Sequence, residues 1–238
     1  MRDVAIVAIN ENESLVIAAD NSGGIGMKDS DHVKVPYDIL SYYSFRVAVM
    51  ECMAAGAKPV SVAMQNFCGD DAWPLLKAGV ERGLYELGID GISVTGSTES
   101  NFSLLQSALG IVVVGRKARD NSLDELPGKV NVAVIGFPLV GEEVIQYPDR
   151  VAPLSLFKWF YEQKEVEAVL PVGSKGIMYE LQQLFHGQEI EEKQVSCSLD
   201  LLKSSGPATC FLVAYRPEVE EKLRRKAGEL FHPVKLID

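Results

Sequence analysis

The feature that most constrains this chain is a short apolar run that leads directly into a glycine-rich polar loop. Leu15-Val16-Ile17-Ala18 is followed by Ala19-Asp20-Asn21-Ser22-Gly23-Gly24-Ile25-Gly26-Met27-Lys28. The pattern predicts a buried strand that ends in a carboxylate, three glycines and a lysine. Glycines let backbone N–H groups approach an anion, a carboxylate suits Mg²⁺, and a lysine suits phosphate oxygens. The alternative is a tight surface turn with incidental charges.

The spacing of this loop differs from the two common phosphate-binding patterns. The lysine follows the last glycine by two residues with no Ser or Thr after it, and GxGxxG is absent. A dinucleotide oxidoreductase is therefore disfavoured, since its fingerprint would follow a strand. If the loop holds phosphate, it does so in another way.

Composition and charge exclude several classes of protein. With 238 residues, 47% hydrophobic and 24% charged, the chain suits one large globular domain or two small ones. A net charge of −10 argues against a broad nucleic-acid or anionic-membrane surface. No apolar stretch reaches the roughly 20 residues that span a bilayer, and the N-terminus lacks a signal-peptide pattern. We expect a cytoplasmic protein without nucleic-acid or membrane partners.

The cysteines and histidines show no metal-binding spacing. Cys52, Cys68, Cys197 and Cys210 form no CxxC pair, and the three histidines are scattered. We expect neither a zinc site nor disulfides. Free cysteines usually pack as small apolar side chains, and that is the role expected here.

Hydrophobic periodicity predicts an alternation of strands and helices, with a mixed sheet because the chain opens on a hairpin. Arg116–Lys129 is charged and poor in strand formers, so it predicts a linker between an N-terminal lobe, 1–118, and a C-terminal lobe, 119–238. The predicted strands are Val4–Ile9, Leu15–Ala19, Val60–Met64, Gly91–Thr95, Ser107–Gly115, Val130–Gly136, Val166–Pro171 and Cys210–Tyr215. The predicted helices are Tyr37–Ala57, Trp73–Leu87, Leu154–Lys164, Gly176–Phe185 and Glu218–Leu230.

Three further polar clusters lie at the ends or on the faces of these elements. Glu51 lies among apolar helix residues, either buried with a partner or on the exposed side beside Arg46. Thr95-Gly96-Ser97-Thr98-Glu99-Ser100-Asn101 crowds hydroxyls and a carboxylate at a strand end, or forms a Ser/Thr turn. Gly173-Ser174-Lys175 opens a helix, where an anion would meet backbone N–H groups, or where Ser174 acts as N-cap.

The order of these clusters resembles the aminoimidazole-ribonucleotide synthetase superfamily, which includes thiamine-monophosphate kinase and selenophosphate synthetase. Asp20–Lys28 resembles its Asp-Gly-x-Gly-Thr-Lys element, and 49–59 resembles its helix ending in Gly-Ala-x-Pro. Thr95–Glu99 resembles its Gly-Gly-(Asp/Glu)-Thr element, with Ser97 in place of the acid. Gly173–Ile177 resembles its second helix start, and 205–209 its C-terminal glycine turn.

The resemblance implies a two-lobed α/β (α+β) fold with mixed sheets and helices packed on one face. It also implies a homodimer in which the first-lobe sheets of two subunits join into a barrel. Within the superfamily, the strings at 20–26, 35–43, 65–70 and 95–102 are most similar to α-ribazole kinases. The expected activity is therefore ATP-dependent phosphorylation of a nucleoside-like hydroxyl.

The expected site follows from the same resemblance and from the chemistry of phosphoryl transfer, which needs positioning and charge neutralisation. Tyr42, Tyr43 and Phe67 are candidates for stacking on a base, with core packing as the alternative. Asp70 and Asp71 are candidates for positioning or deprotonating the acceptor, with a solvated loop as the alternative. The expected Mg²⁺ contacts are Asp20, Glu51 and Glu99, the expected phosphate-neutralising groups are Lys28 and Lys175, and the expected ATP contacts are Asn21, Gly23, Gly24, Gly26, Thr95, Gly96, Ser97, Thr98, Gly173 and Ser174.

Overall fold

The structure is a computed structural model that describes residues 4–119, 126, 128–185 and 190–237. The chain divides into two compact units, Arg2–Asp120 and Asn121–Asp238. The boundary predicted from the sequence lies two residues earlier, at 118/119. Each unit contains one five-stranded sheet. No helix in the described part of the chain is long and apolar enough to cross a bilayer.

The N-terminal unit has a mixed sheet in the order β1-β2-β7-β5-β6. Strands β5 and β6 are parallel, and the other neighbours are antiparallel. A separate short parallel pair is formed by β3 and β4. The strands are β1 (Val4–Ala8), β2 (Glu13–Gly23), β3 (Ile25–Gly26), β4 (Val33–Lys34), β5 (Lys58–Asn66), β6 (Ser93–Thr98) and β7 (Ala108–Ala118), and the helices are α1 (Tyr37–Ala54) and α2 (Trp73–Glu86).

The helices of this unit pack on one face of its sheet, as the family resemblance implies. Residues alternate along β2 and β7, so that Val16 and Ile111 are fully buried while Ile17 is partly exposed. Helix α1 contacts β2 and β7, and α2 packs against α1. Their crossing is close, because a Cβ on Gly79 would lie only 2.1 Å from the carbonyl oxygen of Asp38. The opposite face of the sheet is left partly open.

The C-terminal unit has an entirely antiparallel sheet in the order β10-β12-β8-β11-β9. Its strands are β8 (Asn131–Ile135), β9 (Val166–Pro171), β10 (Val195–Ser196), β11 (Phe211–Tyr215) and β12 (Phe231–Leu236). Its helices are α3 (Glu143–Gln146), α4 (Leu154–Tyr161), α5 (Gly176–Leu184) and α6 (Glu220–Ala227).

This second sheet differs from the expectation of a mixed sheet with helices on one face. Every residue of β11 is buried, because both faces of the sheet are covered. On one face Leu212 belongs to a core with Ile177 of α5. On the other face the Phe211 ring lies 5.3 Å from the Phe157 ring of α4. A continuous apolar run without alternation is the sequence sign of such a strand.

Several element boundaries also differ from the prediction. The strands β10 and β12 are not predicted from the sequence. In β12 the proline Pro233 masks the strand pattern, and the strand is stabilised by antiparallel pairing with β8. The predicted helix Glu218–Leu230 is a 3₁₀ turn, the short helix α6 and a second 3₁₀ turn. Part of the predicted linker, 116–118, belongs to β7, and residues 120–125 and 127 lie outside the described residues.

Candidate functional site

Strands β2, β5 and β6 of the N-terminal sheet all end on the same side of the sheet. This row of strand ends is the site edge. In the antiparallel and parallel registers, Gly23 lies opposite Ala108, and Asn66 lies opposite both Leu109 and Thr98. The polar segments that follow β2, β5 and β6 therefore meet at this edge, although they are far apart in sequence. The structure thus brings together the glycine loop, the Asp70–Asp71 turn and the run that ends in Glu99.

Asp20 lies near the end of β2 on the face covered by α1. The neighbouring residue on that face, Ser22, hydrogen-bonds through its hydroxyl to the Ser44 hydroxyl of α1 at 2.9 Å. Burial raises the pKa of Asp20 to about 7, and a backbone hydrogen bond at Asn21 partly opposes that shift. A desolvated carboxylate of this kind gains free energy when a cation approaches it, so its chemistry fits a hard metal ion.

The glycine loop is held in place by Asp31, a residue outside the predicted site. Its carboxylate accepts hydrogen bonds from the Ser107 backbone N–H at 2.7 Å, the Ser107 hydroxyl at 2.7 Å and the Lys28 backbone N–H at 2.9 Å. Burial raises the pKa of Asp31, but these hydrogen bonds and the charge of Lys34 outweigh burial and lower it overall. The carboxylate is therefore ionised and organises the loop.

The glycines of the loop serve this packing. Gly24 and Gly26 have positive φ angles of 70° and 147°, which favour glycine. A Cβ on Gly26 would lie 2.6 Å from the Ser107 hydroxyl oxygen. The Gly24 N–H donates to the Ser107 carbonyl at 2.8 Å, so this donor is already used within the protein. Gly23, in contrast, has open space at its Cβ position.

Lys28 lies at this edge with its ammonium group bound to the protein, and its expected contact with phosphate stays a prediction. Its ammonium group donates hydrogen bonds to the carbonyl oxygens of Phe67 at 2.9 Å, Leu104 at 3.1 Å and Gln106 at 3.4 Å. All three ammonium protons therefore have acceptors within the protein. Lys28 ties the glycine loop to the two segments beside it at the sheet edge.

Asn66 joins the ends of β5 and β6 and is almost completely buried, at 1% exposure. Its side-chain amide donates to the Gly69 carbonyl at 2.9 Å and the Thr98 hydroxyl at 3.0 Å, while its side-chain oxygen accepts from the Cys68 N–H at 2.8 Å. Its backbone carbonyl accepts from Glu99. The sequence signal for this role is only an asparagine at the end of an alternating strand.

The hydroxyl-rich run divides into the strand residues Thr95–Thr98 of β6 and a turn that begins at Glu99. Thr95, Gly96 and Ser97 are exposed residues of β6. A Cβ on Gly96 would lie 2.2 Å from the Met64 carbonyl oxygen and 2.8 Å from the Trp73 ring, so a side chain is excluded there. Glu99 accepts hydrogen bonds from the backbone N–H groups of its own loop at Asn101 and Phe102, at 2.7 and 3.2 Å.

Asp70 and Asp71 lie exposed in a 3₁₀ turn directly before α2. Their exposure agrees with the solvated alternative, and their position at the site edge agrees with the functional one.

Asn21 and Gln65 lie on either side of Gly110 in the strand register, on the open face of the sheet. The Gln65 amide lies across Gly110, where a Cβ would come within 2.6 Å of the Gln65 side-chain oxygen. Gln65 is thus a further polar residue at this edge and lies outside the predicted site.

Glu51 does not share this edge. The first turn of α1 lies beside the glycine loop, since Tyr37 neighbours Gly26, whereas the Ala55 carbonyl at the other end of the helix accepts a hydrogen bond from Lys117. Glu51 is partly buried near that far end. Within the described residues, no three acidic, histidine or cysteine side chains form a metal-binding group. The Mg²⁺ contacts of Asp20, Glu51 and Glu99 stay predictions.

The aromatic candidates for base stacking have different environments. Tyr42 is buried between α1 and α2, where its hydroxyl donates to Glu86 at 2.7 Å and the guanidinium of Arg82 covers its ring at 4.3 Å. Tyr43 packs edge-on against Tyr42. Phe67 is 39% exposed. Tyr42 therefore has the core-packing role, and Phe67 is the accessible aromatic residue of the three.

The Gly173–Lys175 segment belongs to the C-terminal unit and links β9 to α5. Ser174 and Lys175 are exposed. The N-cap of α5 is Lys175, without a side-chain capping bond, so the alternative of Ser174 as N-cap is wrong. The Lys175 ammonium lies 4.2 Å from the Tyr179 ring centroid. The contact of this segment with ATP stays a prediction.

Comparisons with known proteins identify the fold. No family model and no curated protein sequence matches the chain. Among solved structures, phosphoribosylformylglycinamidine synthase II of Thermotoga maritima (PurL) has a TM-score of 0.58 at 13% identity, over 100% of this chain and 43% of that one. The tt0281 protein of Thermus thermophilus has a TM-score of 0.59 at 11% identity, over 98% and 84%. A chain of a HypE–HypF complex has a TM-score of 0.58 at 13% identity, over 99% and 87%.

These matches show that the chain has the aminoimidazole-ribonucleotide synthetase-like fold. The chain spans about 43% of the length of the PurL structure. Other matching structures are T. maritima PurL in complex with ATP and with ADP. The N-terminal sheet is open in the single chain, so its closure into a barrel in a dimer is a separate proposal.

Proposed function

We propose that this chain is an ATP-dependent kinase that phosphorylates a nucleoside-like hydroxyl, with α-ribazole as the acceptor. The observation that carries the proposal is that Asp20, Asp70–Asp71 and the end of β6 lie at one edge of the N-terminal sheet, where the register puts Thr98 on the same face as Asp20 and Ser97 on the opposite, open face. The shared fold supports ATP as the phosphoryl donor, because PurL of that fold has been solved with ATP. The choice of α-ribazole rests on the resemblance of the sequence strings.

In this proposal the carboxylate of Asp20 contacts Mg²⁺, since carboxylate oxygens are the ligands that this ion prefers. The ion would neutralise charge on the phosphates of ATP. The Thr98 end of β6 and the backbone around Gly23 bind the nucleotide beside that carboxylate, and Asp70 or Asp71 orients the acceptor hydroxyl. Phosphoryl transfer needs such positioning and charge neutralisation more than covalent help from the protein.

The open face of the N-terminal sheet supports a homodimer. Leu15, Ile17, Val112 and Val114 lie on this face, away from α1, and each is only partly buried in the single chain. We expect Ile17→Glu to shift the protein toward monomer in sedimentation velocity at micromolar concentration. Tyr85→Glu, on α2 at a site 86% exposed, is the matched control and should sediment as the wild type does. A wild-type protein that is monomeric under these conditions would contradict the dimer.

The kinase is tested by incubating the purified chain with Mg²⁺, ATP and α-ribazole. We expect α-ribazole 5′-phosphate by mass spectrometry and an equal amount of ADP. Asp20→Asn should lower kcat/KM by about 100-fold, which is the size of effect expected for removal of one electrostatic contact to the reacting phosphates. Asp29→Asn, at an exposed residue directly after the glycine loop, is the control and should retain the rate. A wild-type rate in Asp20→Asn would remove Asp20 from the mechanism.

Two other functions are separated by the same experiment. ADP release with thiamine monophosphate or a carboxamide acceptor, and none with α-ribazole, would identify a different ATP-using enzyme. ATP binding by calorimetry without turnover of any acceptor would identify a nucleotide sensor. The sensor is favoured by one sequence feature, namely that Ser97 stands where the superfamily element resembled by 94–99 has an acid.

A further inference from the structure

Three backbone carbonyls converge on one point at the edge of the N-terminal sheet. The carbonyl of Phe67 comes from the segment after β5, and those of Leu104 and Gln106 come from the loop before β7. The ammonium nitrogen of Lys28 lies 2.9, 3.1 and 3.4 Å from these three oxygens. Two segments far apart in sequence thus present oxygen atoms to the same cation.

This arrangement has the chemistry of a monovalent-cation site. Each carbonyl oxygen carries partial negative charge, so three of them gathered around one point repel one another unless a cation lies between them. Carbonyl oxygens can replace the hydration shell of K⁺. An ammonium group resembles K⁺ in charge and size, but it is directional, since it offers three N–H donors.

We propose that the carbonyls of Phe67, Leu104 and Gln106 form a monovalent-cation site that Lys28 fills with its own side chain. Lys28 is then a positioning residue. Its tethered charge holds the Phe67 segment, which continues into Asp70, and the 104–106 loop against the glycine loop. This inference does not depend on the kinase activity, because it concerns the cation that organises the site edge.

Asp31 and Lys34 fix the backbone from which this side chain extends. The Lys28 backbone N–H donates to Asp31 at 2.9 Å, and its carbonyl accepts a hydrogen bond from the Lys34 ammonium. The main chain at Lys28 is therefore held independently of its side chain. Truncation of the side chain loosens the three carbonyls but leaves their segments tethered, because the Phe67 N–H donates to the Ala108 carbonyl at 3.0 Å and the Gln106 side-chain amide donates to the Ser30 carbonyl at 2.8 Å. The space that the ammonium group occupies is then open to another cation.

The test is the thermal unfolding of the Lys28→Ala variant, with its Tm measured in LiCl, NaCl, KCl and NH₄Cl at equal ionic strength. We expect its Tm in Li⁺ or Na⁺ to lie about 4 °C below that of the wild type, the shift expected for about 1 kcal/mol in a unit of the size of Arg2–Asp120. K⁺ or NH₄⁺ should restore at least half of that loss. Wild-type protein should melt alike in the four salts. Lys117→Ala is the matched control, because its ammonium donates to the single carbonyl of Ala55 at 3.0 Å, and it should show no preference for K⁺ over Na⁺.

Equal melting of Lys28→Ala in all four salts would overturn the proposal. Should this variant fail to fold in every salt, the wild-type protein decides the question through ¹⁵N NMR of its lysine ammonium groups. An ammonium bound by three carbonyls should exchange its protons at least ten times more slowly than the exposed Lys58. Exchange of Lys28 as fast as that of Lys58 would also overturn the proposal.

Discussion

The Ser107 hydroxyl donates a hydrogen bond to Asp31 Oδ2 at 2.7 Å, across 76 residues of sequence. The Ser107 backbone N–H donates to the other oxygen of the same carboxylate. This contact joins the glycine loop to the start of β7 and fixes the edge at which the candidate site residues meet. It is a structural connection within the candidate site.

Asp31→Asn should lower the free energy of unfolding by about 2 kcal/mol at pH 7, because hydrogen bonds to a charged group are each worth about 1.5–3 kcal/mol. The folded-state pKa of Asp31 is lowered, so its contribution is present above the unfolded pKa, near 4. It is lost as the pH falls through the folded pKa. Urea unfolding of both proteins from pH 7 down to pH 3 measures this, and a difference that does not shrink on acidification would contradict it.

Asp20→Asn should have the opposite effect on stability. The folded-state pKa of Asp20 is raised from 3.8 to about 7, so the folded protein binds this proton more tightly than the unfolded chain. Stability is therefore lost as the pH rises from 4 to 7. We expect the variant to be more stable than the wild type above pH 7, by at most a few kcal/mol since one pKa unit is worth about 1.4 kcal/mol. Asp90→Asn, an exposed control, should show no such gain.

Gly96→Ala should destabilise the N-terminal unit by about 2 kcal/mol or more, because overpacking a filled site typically costs about 1–3 kcal/mol. The new Cβ would lie 2.2 Å from the Met64 backbone oxygen, which cannot move without disturbing the pairing of β5 with β6. Gly23→Ala is the matched control, since nothing lies within 4 Å of its Cβ position. Equal melting temperatures of the two variants would contradict this account.

Asn66→Ala should lower the free energy of unfolding by about 3 kcal/mol, since it removes three hydrogen bonds and leaves buried partners without acceptors or donors. Hydrogen exchange should report the change locally, with faster exchange at Cys68, whose N–H donates to the Asn66 side chain. Asn21→Ala, at an exposed position, provides the control. Unchanged protection of the Cys68 amide would show that Asn66 does not hold this turn.

Much of the fold is visible in local sequence patterns. The periodicity of 73–87 predicts α2 to within one residue, and the apolar run Val166–Pro171 coincides with β9. Both signals are short-range, because one face or one run of apolar side chains is enough to select the element. The second sheet shows the limit of such patterns. The pairing of β12 with β8 comes from contacts far apart in sequence, and Pro233 hides the strand.

The sequence by itself determined the candidate glycine loop, its carboxylate Asp20 and the hydroxyl-rich run at Thr95, since each is a compact motif of distinctive composition. Only the tertiary structure decided which of these motifs meet. Strand register brings the loop, the Asp70 turn and β6 to one edge. Glu51 lies away from that edge, because it is near the far end of the long helix α1. The tertiary structure also places the Lys28 ammonium group against three carbonyl oxygens, and it places Asp31 where its carboxylate holds the loop through hydrogen bonds. The physical reason is that hydrogen bonds and charges act over a few ångströms in space, and sheet pairing sets those distances.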